Sequence, residues 1–136
     1  MNYHFISLDE FFSFDNMAKW VEFTSFREWW YGTSIDHLVK DKINIGVFNI
    51  KGINSLLKDD ECQVVPIYIK ACDKLRLIRQ LNREANPNCQ EICRRFQTDK
   101  EDFKKIIFPY QVIENNTNEI QPIINEIFDL INKIWS

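Results

Sequence analysis

The fold class is decided by the stretch VVPIYIK at residues 64–70, a short β-branched run that follows Gln63. An apolar run of this length without strict polar alternation is typical of a strand that is covered on both faces of a sheet. Pro66 places it at a strand start or a sheet edge, because proline cannot donate a hydrogen bond to the neighbouring strand. The run therefore predicts one strand of a parallel sheet.

Two further β-prone runs lie outward from this stretch. Residues 43–50 are predicted to form a strand buried on both faces, and residues 110–113 a third, short strand. Apolar residues at helical spacing predict helices over residues 74–84, 90–105 and 119–135. Strands separated by helices in this way indicate an α/β fold with a small parallel sheet.

The first 34 residues predict short strands around one short helix. Residues 3–7 alternate as a strand does, and Ser7 followed three residues later by Glu10 is the capping-box pattern of a helix start. Residues 20–24 are β-prone, and residues 29–34 predict a strand that ends in a turn.

The composition indicates one domain and disfavours several function classes. Of 136 residues, 45% are hydrophobic and 14% aromatic, which is enough for a core, and the net charge is −3. That charge disfavours nucleic acid as a partner. The sequence contains no apolar run long enough for a membrane span and no signal-peptide pattern after Met1. We therefore expect a cytoplasmic protein without a membrane partner.

Neither a metal site nor a phosphate-binding loop is expected. Reduced thiols are predicted for the four cysteines, and both histidines lie far from them in the sequence, so the ligands of a zinc site are lacking. A phosphate-cradling loop needs two glycines five residues apart with lysine after the second. Gly46 and Gly52 are six apart, and Ile53 follows.

The order of motifs resembles the guanylate kinase family with its N-terminal portion missing. Seven segments are similar to family motifs in the family's order, and together they extend over essentially the whole chain. They are residues 3–11, 20–23, 31–33, 44–50, 65–70, 92–96 and 110–115. The resemblance implies a truncated P-loop-kinase-like, three-layer α/β fold, with a small parallel sheet and a β-rich nucleotide-binding subdomain. It implies a single domain, with residues 1–34 as a GMP-binding-like subdomain and residues 35–136 as the remaining core and lid.

The resemblance also implies a binding site for a guanine nucleotide or a related purine phosphate. Tyr3 and Tyr31 match tyrosines whose hydroxyls contact the GMP phosphate, and Glu22 matches the carboxylate that reads the guanine edge. A carboxylate accepts from guanine N1–H and the exocyclic amine together, whereas adenine offers the wrong pattern. Thr33 matches a Ser or Thr that supports base recognition. Read without the resemblance, Glu22 is a solvated strand residue, and the tyrosines are core aromatics with exposed hydroxyls.

Three arginines, Arg83, Arg94 and Arg95, resemble the lid arginines that clamp the transferred phosphoryl group. Read without the resemblance, Arg94 and Arg95 form a solvated helix face and pair with Glu91, Asp99 or Asp102.

The sequence departs from the family at the catalytic end. The family's phosphate loop and its lysine would lie before Met1, and the two strand-end aspartates, one of them linked to magnesium, are Asn49 and Lys51 here. The glycine after the lid arginine is Glu84. Phosphoryl transfer depends on positive charge positioned around the phosphates. The resemblance therefore implies a nucleotide binder that is not a competent kinase alone, with ATP and Mg²⁺ as cofactors only where a phosphate loop is supplied elsewhere.

Two other functions stay open. One is a guanylate kinase, an ATP:GMP phosphotransferase, whose phosphate-loop segment lies outside this chain. The other is a non-catalytic phosphopeptide- or protein-binding module, which has no need of Glu22. Without the family's missing strand, residues 45–50 and 64–70 would leave backbone groups unpaired. They must pair directly, or a homo-oligomer or partner chain must cover the open sheet.

Overall fold

The computed structural model describes residues 3–26, 28–60 and 62–135, and the chain divides into two compact units, residues 1–64 and 65–136. Unit 1 contains an antiparallel hairpin, and unit 2 contains a two-stranded parallel sheet with three helices. The α/β class with a small parallel sheet is confirmed. A single domain with a subdomain boundary at residue 34 stays a prediction.

Unit 1 opens with two one-turn helices, α1 (Leu8–Phe11) and α2 (Phe14–Met17). A serine caps each of them: the Ser7 hydroxyl accepts from the backbone N–H of Glu10 at 3.2 Å, and Ser13 does the same for Asn16 at 3.4 Å. The helix start predicted at Ser7 is confirmed. The strand predicted over residues 3–7 is wrong, because no described strand pairs with it.

The hairpin consists of β1 (Trp20–Phe26) and β2 (Trp29–Ser34), as the sequence predicted. Its register is irregular at one place: Trp20 lies opposite Ser34 and Glu22 lies opposite Thr33, so that Val21 is an extra residue in β1. Such a bulge interrupts the alternation that would put residues two apart on the same face. Trp20 and Glu22 therefore face opposite sides of the hairpin.

One side of the hairpin packs into an aromatic cluster, which consists of Phe11, Phe12, Trp20, Phe23 and Trp30. Phe11 is buried at its centre, and its ring stacks on Trp20 with centroids 4.6 Å apart. The Trp20 indole N–H donates to the Phe11 carbonyl at 3.0 Å. Gly32 lets the indole lie close to β2, because a Cβ at that position would come within 2.9 Å of the Trp20 ring. The cluster buries Phe11 and supports one face of the hairpin, and Leu56 is the other buried apolar side chain described in unit 1.

The rest of unit 1 differs from the sequence prediction. After a short 3-10 turn at Ile35–His37, residues 43–49 form neither helix nor strand, and helix α3 (Ile50–Leu56) follows. Ile45 and Val47 are 79% and 86% exposed. The predicted buried strand over residues 43–50 is therefore wrong. A β-branched run becomes a strand only where a neighbouring strand accepts its backbone hydrogen bonds, and no described strand pairs with this run.

In unit 2, β3 (Ile67–Lys70) pairs in parallel with β4 (Gln111–Glu114). The helices, α4 (Asp73–Leu81), α5 (Cys89–Phe103) and α6 (Gln121–Trp135), lie close to their predicted positions. The described core of this unit includes Phe96, Ile113 and Ile123, and Ile113 is only 2% exposed. None of the helices described here is long and apolar enough to cross a membrane.

Arg79 connects α4 to the segment after β4. Its Nη1 donates to the carbonyl of Asn115 at 3.0 Å, and its Nη2 donates to the carbonyl of Thr117 at 2.6 Å. Both acceptors follow β4, so this one guanidinium holds two structural elements of unit 2 together. Sequence reasoning had not singled out this arginine.

Arg79→Lys is expected to destabilise the protein by about 1–2 kcal/mol, because a lysine cannot donate to two carbonyls in the fixed geometry of a guanidinium. Urea unfolding measures the change in the free energy of unfolding. Arg83→Lys is the control, since Arg83 lies just past α4 and is exposed. Equal effects of the two substitutions would contradict this role of Arg79.

Candidate functional site

The hairpin presents polar side chains on the side opposite the aromatic cluster. Glu22 lies opposite Thr33 and Thr24 lies opposite Tyr31, so two polar pairs follow one another along the strands. Residues two apart in a regular strand project from the same face. We call this surface, formed by Glu22, Thr24, Tyr31 and Thr33, the polar face.

Glu22 is the buried carboxylate of the polar face, and it is only 8% exposed. The Thr33 hydroxyl donates to Oε1 of Glu22 at 2.7 Å. Among the described residues this is the only hydrogen bond to the carboxylate, and none of them forms an ion pair with it. The solvated-strand interpretation of Glu22 is therefore wrong. Oε2 has no described hydrogen bond and is not among the fully buried atoms without a partner, so it can still accept from N–H donors of a ligand.

The start of α3 lies against the polar face. Asn49 caps this helix: its Oδ1 accepts from the Gly52 N–H at 2.8 Å, and its Nδ2 donates to the Thr24 hydroxyl at 3.3 Å. An ideal Cβ built on Gly52 would lie 2.9 Å from Glu22 Oε2. The Glu22 carboxylate therefore lies directly beside the first turn of α3.

Sequence reasoning did not place Thr24, Asn49 or Gly52 at the site. Thr24 could have been found from the two-residue alternation with Glu22. Asn49 has the residue type and the spacing of an N-cap before Gly52, which is a signal for a helix start. Their closeness to Glu22 depends on tertiary packing, for which the sequence offers no local signal.

Tyr3 and Tyr31 lie together. Their rings meet edge to face with centroids 6.0 Å apart, and both side chains are exposed. Beside Tyr3, the ring of His4 stacks on that of His37 at 5.0 Å, which holds this N-terminal segment against the turn that follows β2. The interpretation of the two tyrosines as core aromatics is therefore wrong. Tyr3, Glu22, Tyr31 and Thr33 all belong to unit 1, and their binding role stays a prediction.

The three predicted lid arginines belong to unit 2. Arg94 donates through Nε and Nη2 to the two oxygens of Glu91 at 2.8 and 2.9 Å, and Arg95 Nε donates to Glu91 at 2.9 Å. The hydrogen bonds to Glu91 raise the pKa of Arg94 above its ordinary value. This is the helix-face pairing that the residues alone suggested. Arg83 is exposed just past α4, and the lid role of all three stays a prediction.

Asn49 and Lys51, which stand where the family has strand-end aspartates, do not fit a metal ion. Asn49 is engaged as the cap of α3, and Lys51 is an exposed cation, so neither supplies a carboxylate oxygen for Mg²⁺. Within residues 3–26, 28–60 and 62–135, no group of three His, Cys, Asp or Glu side chains could hold a metal ion. None of the four cysteines forms a disulfide within the described part of the chain. No catalytic step through a metal follows from this chain's own residues.

Comparison with known proteins finds that this chain is similar to guanylate kinases. The sequence model described as Guanylate kinase matches residues 1–132. A curated relative, the guanylate kinase of Wigglesworthia glossinidia brevipalpis, is 31% identical over 133 residues, which cover 90% of this chain and 63% of the relative. The chain thus spans less than two thirds of the length of that relative. No solved structure gave a significant match.

Proposed function

Because this chain belongs to the guanylate kinase family, we propose that it binds a guanine nucleotide such as GMP or dGMP, or a related purine phosphate, on the polar face. The observation that carries the proposal is the Glu22 carboxylate, which is buried and receives a single described hydrogen bond, from Thr33. Guanine brings two adjacent N–H donors on one edge. A carboxylate can accept both donors at once, which would satisfy the buried charge.

Thr33 has a defined part in this proposal. Its hydroxyl donates to Oε1 of Glu22, so it fixes the rotation of the carboxylate before a ligand arrives. Each carboxylate oxygen retains capacity to accept from the base, because an ionised carboxylate has about four acceptor positions. Adenine presents an acceptor where guanine presents N1–H, and two facing acceptors repel. The arrangement therefore favours guanine over adenine.

Calorimetric titration with GMP and with AMP tests the proposal. We expect GMP to bind and AMP to bind at least tenfold more weakly, because one hydrogen bond to a charged group contributes about 1.5–3 kcal/mol. Absence of heat with GMP at millimolar concentration, or equal affinities for the two nucleotides, would contradict it.

The phosphate end of the ligand is assigned to Tyr3 and Tyr31. Their hydroxyls have no protein partner in the described part of the chain, so both are free to donate to phosphate oxygens. The lid role of Arg83, Arg94 and Arg95 in unit 2 stays a separate prediction. Within that unit, Glu91 already accepts hydrogen bonds from Arg94 and Arg95.

Tyr31→Phe is expected to weaken GMP binding about tenfold and to leave guanosine binding unchanged, because only the phosphate loses a donor. Calorimetry with both ligands measures the difference. Tyr110→Phe is the matched control, since Tyr110 is an exposed tyrosine of unit 2 just before β4. A parallel loss for GMP and guanosine would contradict the phosphate role of Tyr31.

We propose further that the 136-residue chain alone does not transfer a phosphoryl group. Residues 1–136 contain no G-x-x-x-x-G-K-[ST] pattern, and Asn49 and Lys51 stand at the two strand-end acidic positions of the family. A coupled assay for ADP release with ATP, Mg²⁺ and GMP is expected to show no turnover. Turnover by the purified chain would overturn this part of the proposal.

A second candidate is a guanylate kinase whose phosphate loop lies in a segment outside these 136 residues. The coverage of only 63% of the curated relative favours it. Translation of the DNA upstream of the Met1 codon tests it cheaply: a G-x-x-x-x-G-K-[ST] pattern in frame supports a kinase that uses ATP and Mg²⁺, and a stop codon excludes a longer chain of this kind.

A non-catalytic phosphopeptide- or protein-binding module stays the third candidate function. The substitution Glu22→Ala distinguishes it from the two candidates that bind a nucleotide. The substitution should abolish guanine selectivity in a nucleotide binder and leave partner binding intact in such a module. The exposed side chains of Ile43, Ile45 and Val47 support an oligomer or a partner chain that covers this segment of unit 1. Light scattering on the purified chain distinguishes a homo-oligomer from a different partner chain, because only a homo-oligomer has a multiple of the chain mass. A cytoplasmic location stays a prediction.

A further inference from the structure

Gly52 lies so close to Glu22 that any side chain at residue 52 would displace the carboxylate. A Cβ at residue 52 would lie 2.9 Å from Glu22 Oε2 and 3.4 Å from Cδ of the same side chain. Gly52 itself is buried, in the first turn of α3, where its N–H donates to the capping Asn49. The carboxylate therefore occupies space that every other residue type would fill with its side chain.

Gly52 is not explained by backbone geometry. No described glycine has a positive φ angle, so Gly52 adopts the ordinary helical backbone that alanine prefers. Glycine inside a helix is less stable than alanine there. The sequence thus retains a weak helix former at a position where the backbone does not require it. The contact with Glu22 is the feature of the structure that accounts for this choice.

We propose that Gly52 is a positioning residue that sets the location of the Glu22 carboxylate and thereby the selectivity for guanine. This inference rests on the proposed function. Alanine at residue 52 would push Oε2 away by about 0.5 Å, the difference between 2.9 Å and the 3.4 Å where ordinary contact begins. Oε2 is the far end of a flexible side chain, so the fold tolerates this shift. The hydrogen-bond geometry toward a base does not tolerate the shift, because recognition of this kind needs placement of the carboxylate within about 0.5 Å.

Gly52→Ala is expected to weaken GMP binding at least tenfold while the protein stays folded. Calorimetry with GMP measures the affinity, and circular dichroism follows the fold. Ser55→Ala is the control, because it is an exposed residue of the same helix. It should leave GMP binding unchanged. Equal affinities of the Gly52→Ala variant and the unsubstituted protein for GMP would overturn the proposal.

A double-mutant cycle shows whether Gly52 acts through Glu22. In the Glu22→Ala background the space beside residue 52 is open, so adding Gly52→Ala should change residual GMP binding by less than about twofold. The same addition should raise the melting temperature by about 2–4 °C, the gain expected from alanine in a helix. In the Glu22→Gln background the side chain keeps its length, so Gly52→Ala should raise the melting temperature by less. Equal rises in melting temperature in the two backgrounds would contradict a steric contact between residues 22 and 52.

A measurement without ligand keeps this inference separate from the proposed function. In ¹³C-labelled protein, Gly52→Ala should move the carboxyl signal of Glu22 and the signals of Thr33, whose hydroxyl donates to that carboxylate. Ser55→Ala should leave them in place. Unmoved signals in Gly52→Ala would overturn the positioning role even if GMP binds. Moved signals in a protein that does not bind GMP would support the positioning role and contradict only the nucleotide proposal.

Discussion

Glu22→Gln is expected to weaken GMP binding by about 100-fold without loss of stability in the ligand-free protein. The amide presents an N–H₂ group where the base needs an acceptor, and the lost pair of charge-assisted hydrogen bonds amounts to about 3 kcal/mol. Stability behaves differently, because the carboxylate of the free protein is buried with a single described donor, Thr33. A neutral amide of the same shape is easier to bury.

The divergence between binding and stability is the informative result. Calorimetry measures GMP and AMP affinity, and urea unfolding measures stability. Glu28→Gln is the matched control, because Glu28 is an exposed glutamate between β1 and β2. It should change neither quantity. A large loss of stability in Glu22→Gln would show that the carboxylate has a structural function, and unchanged GMP binding would contradict its role in reading the base.

Phe11→Ala is expected to destabilise the protein by about 3–5 kcal/mol, which is a large share of the 5–15 kcal/mol that is typical of a domain. Phe11 is buried at the centre of the aromatic cluster, where its ring stacks on Trp20. Truncation leaves a cavity under the hairpin and removes the ring contacts that fix Trp20. Urea unfolding followed by tryptophan fluorescence measures the loss.

Phe14→Ala provides the comparison, since Phe14 lies three residues further along and is 88% exposed. It should change the free energy of unfolding by no more than about 0.5 kcal/mol. The two substitutions remove the same side chain from the same part of the sequence. Equal destabilisation by both would show that the described packing of Phe11 is not what stabilises unit 1.

Local signals in the sequence predicted most of unit 2. The apolar stripes of α4, α5 and α6 repeat at helical spacing, and β3 before α4 and β4 before α6 are short runs that contain β-branched residues. The serine cap at Ser7 was equally predictable, because its hydrogen bond spans only three residues. Interactions of this short range can be read from residue type and spacing.

The misassigned strand at residues 43–50 shows the limit of such reasoning. Its Ile and Val residues have the same β preference as those of β3. The difference is the partner: β3 pairs with β4, whereas no described strand pairs with residues 43–49. β preference describes what a residue does on a sheet, and it does not say whether a neighbouring strand exists.

The candidate site was predictable in part. Glu22, Tyr31 and Thr33 come from a motif at fixed spacing, and the hairpin register then pairs Glu22 with Thr33. The approach of Gly52 to Glu22 was not predictable, because it joins residues thirty apart through the packing of α3 on the hairpin. No periodicity or spacing rule reports a contact of that kind.

Because Val21 is the extra residue of β1, we expect the hairpin to tolerate a deletion at Val21 better than a deletion of a residue that pairs with β2. Removal of Val21 would leave Trp20 opposite Ser34 and Glu22 opposite Thr33, with each side chain still on its own side. Loss of Phe23 instead would put Glu22 in its place opposite Gly32 and turn the carboxylate toward the aromatic rings. Deletion of Val21 is therefore expected to keep the charged side of the hairpin apart from its aromatic side.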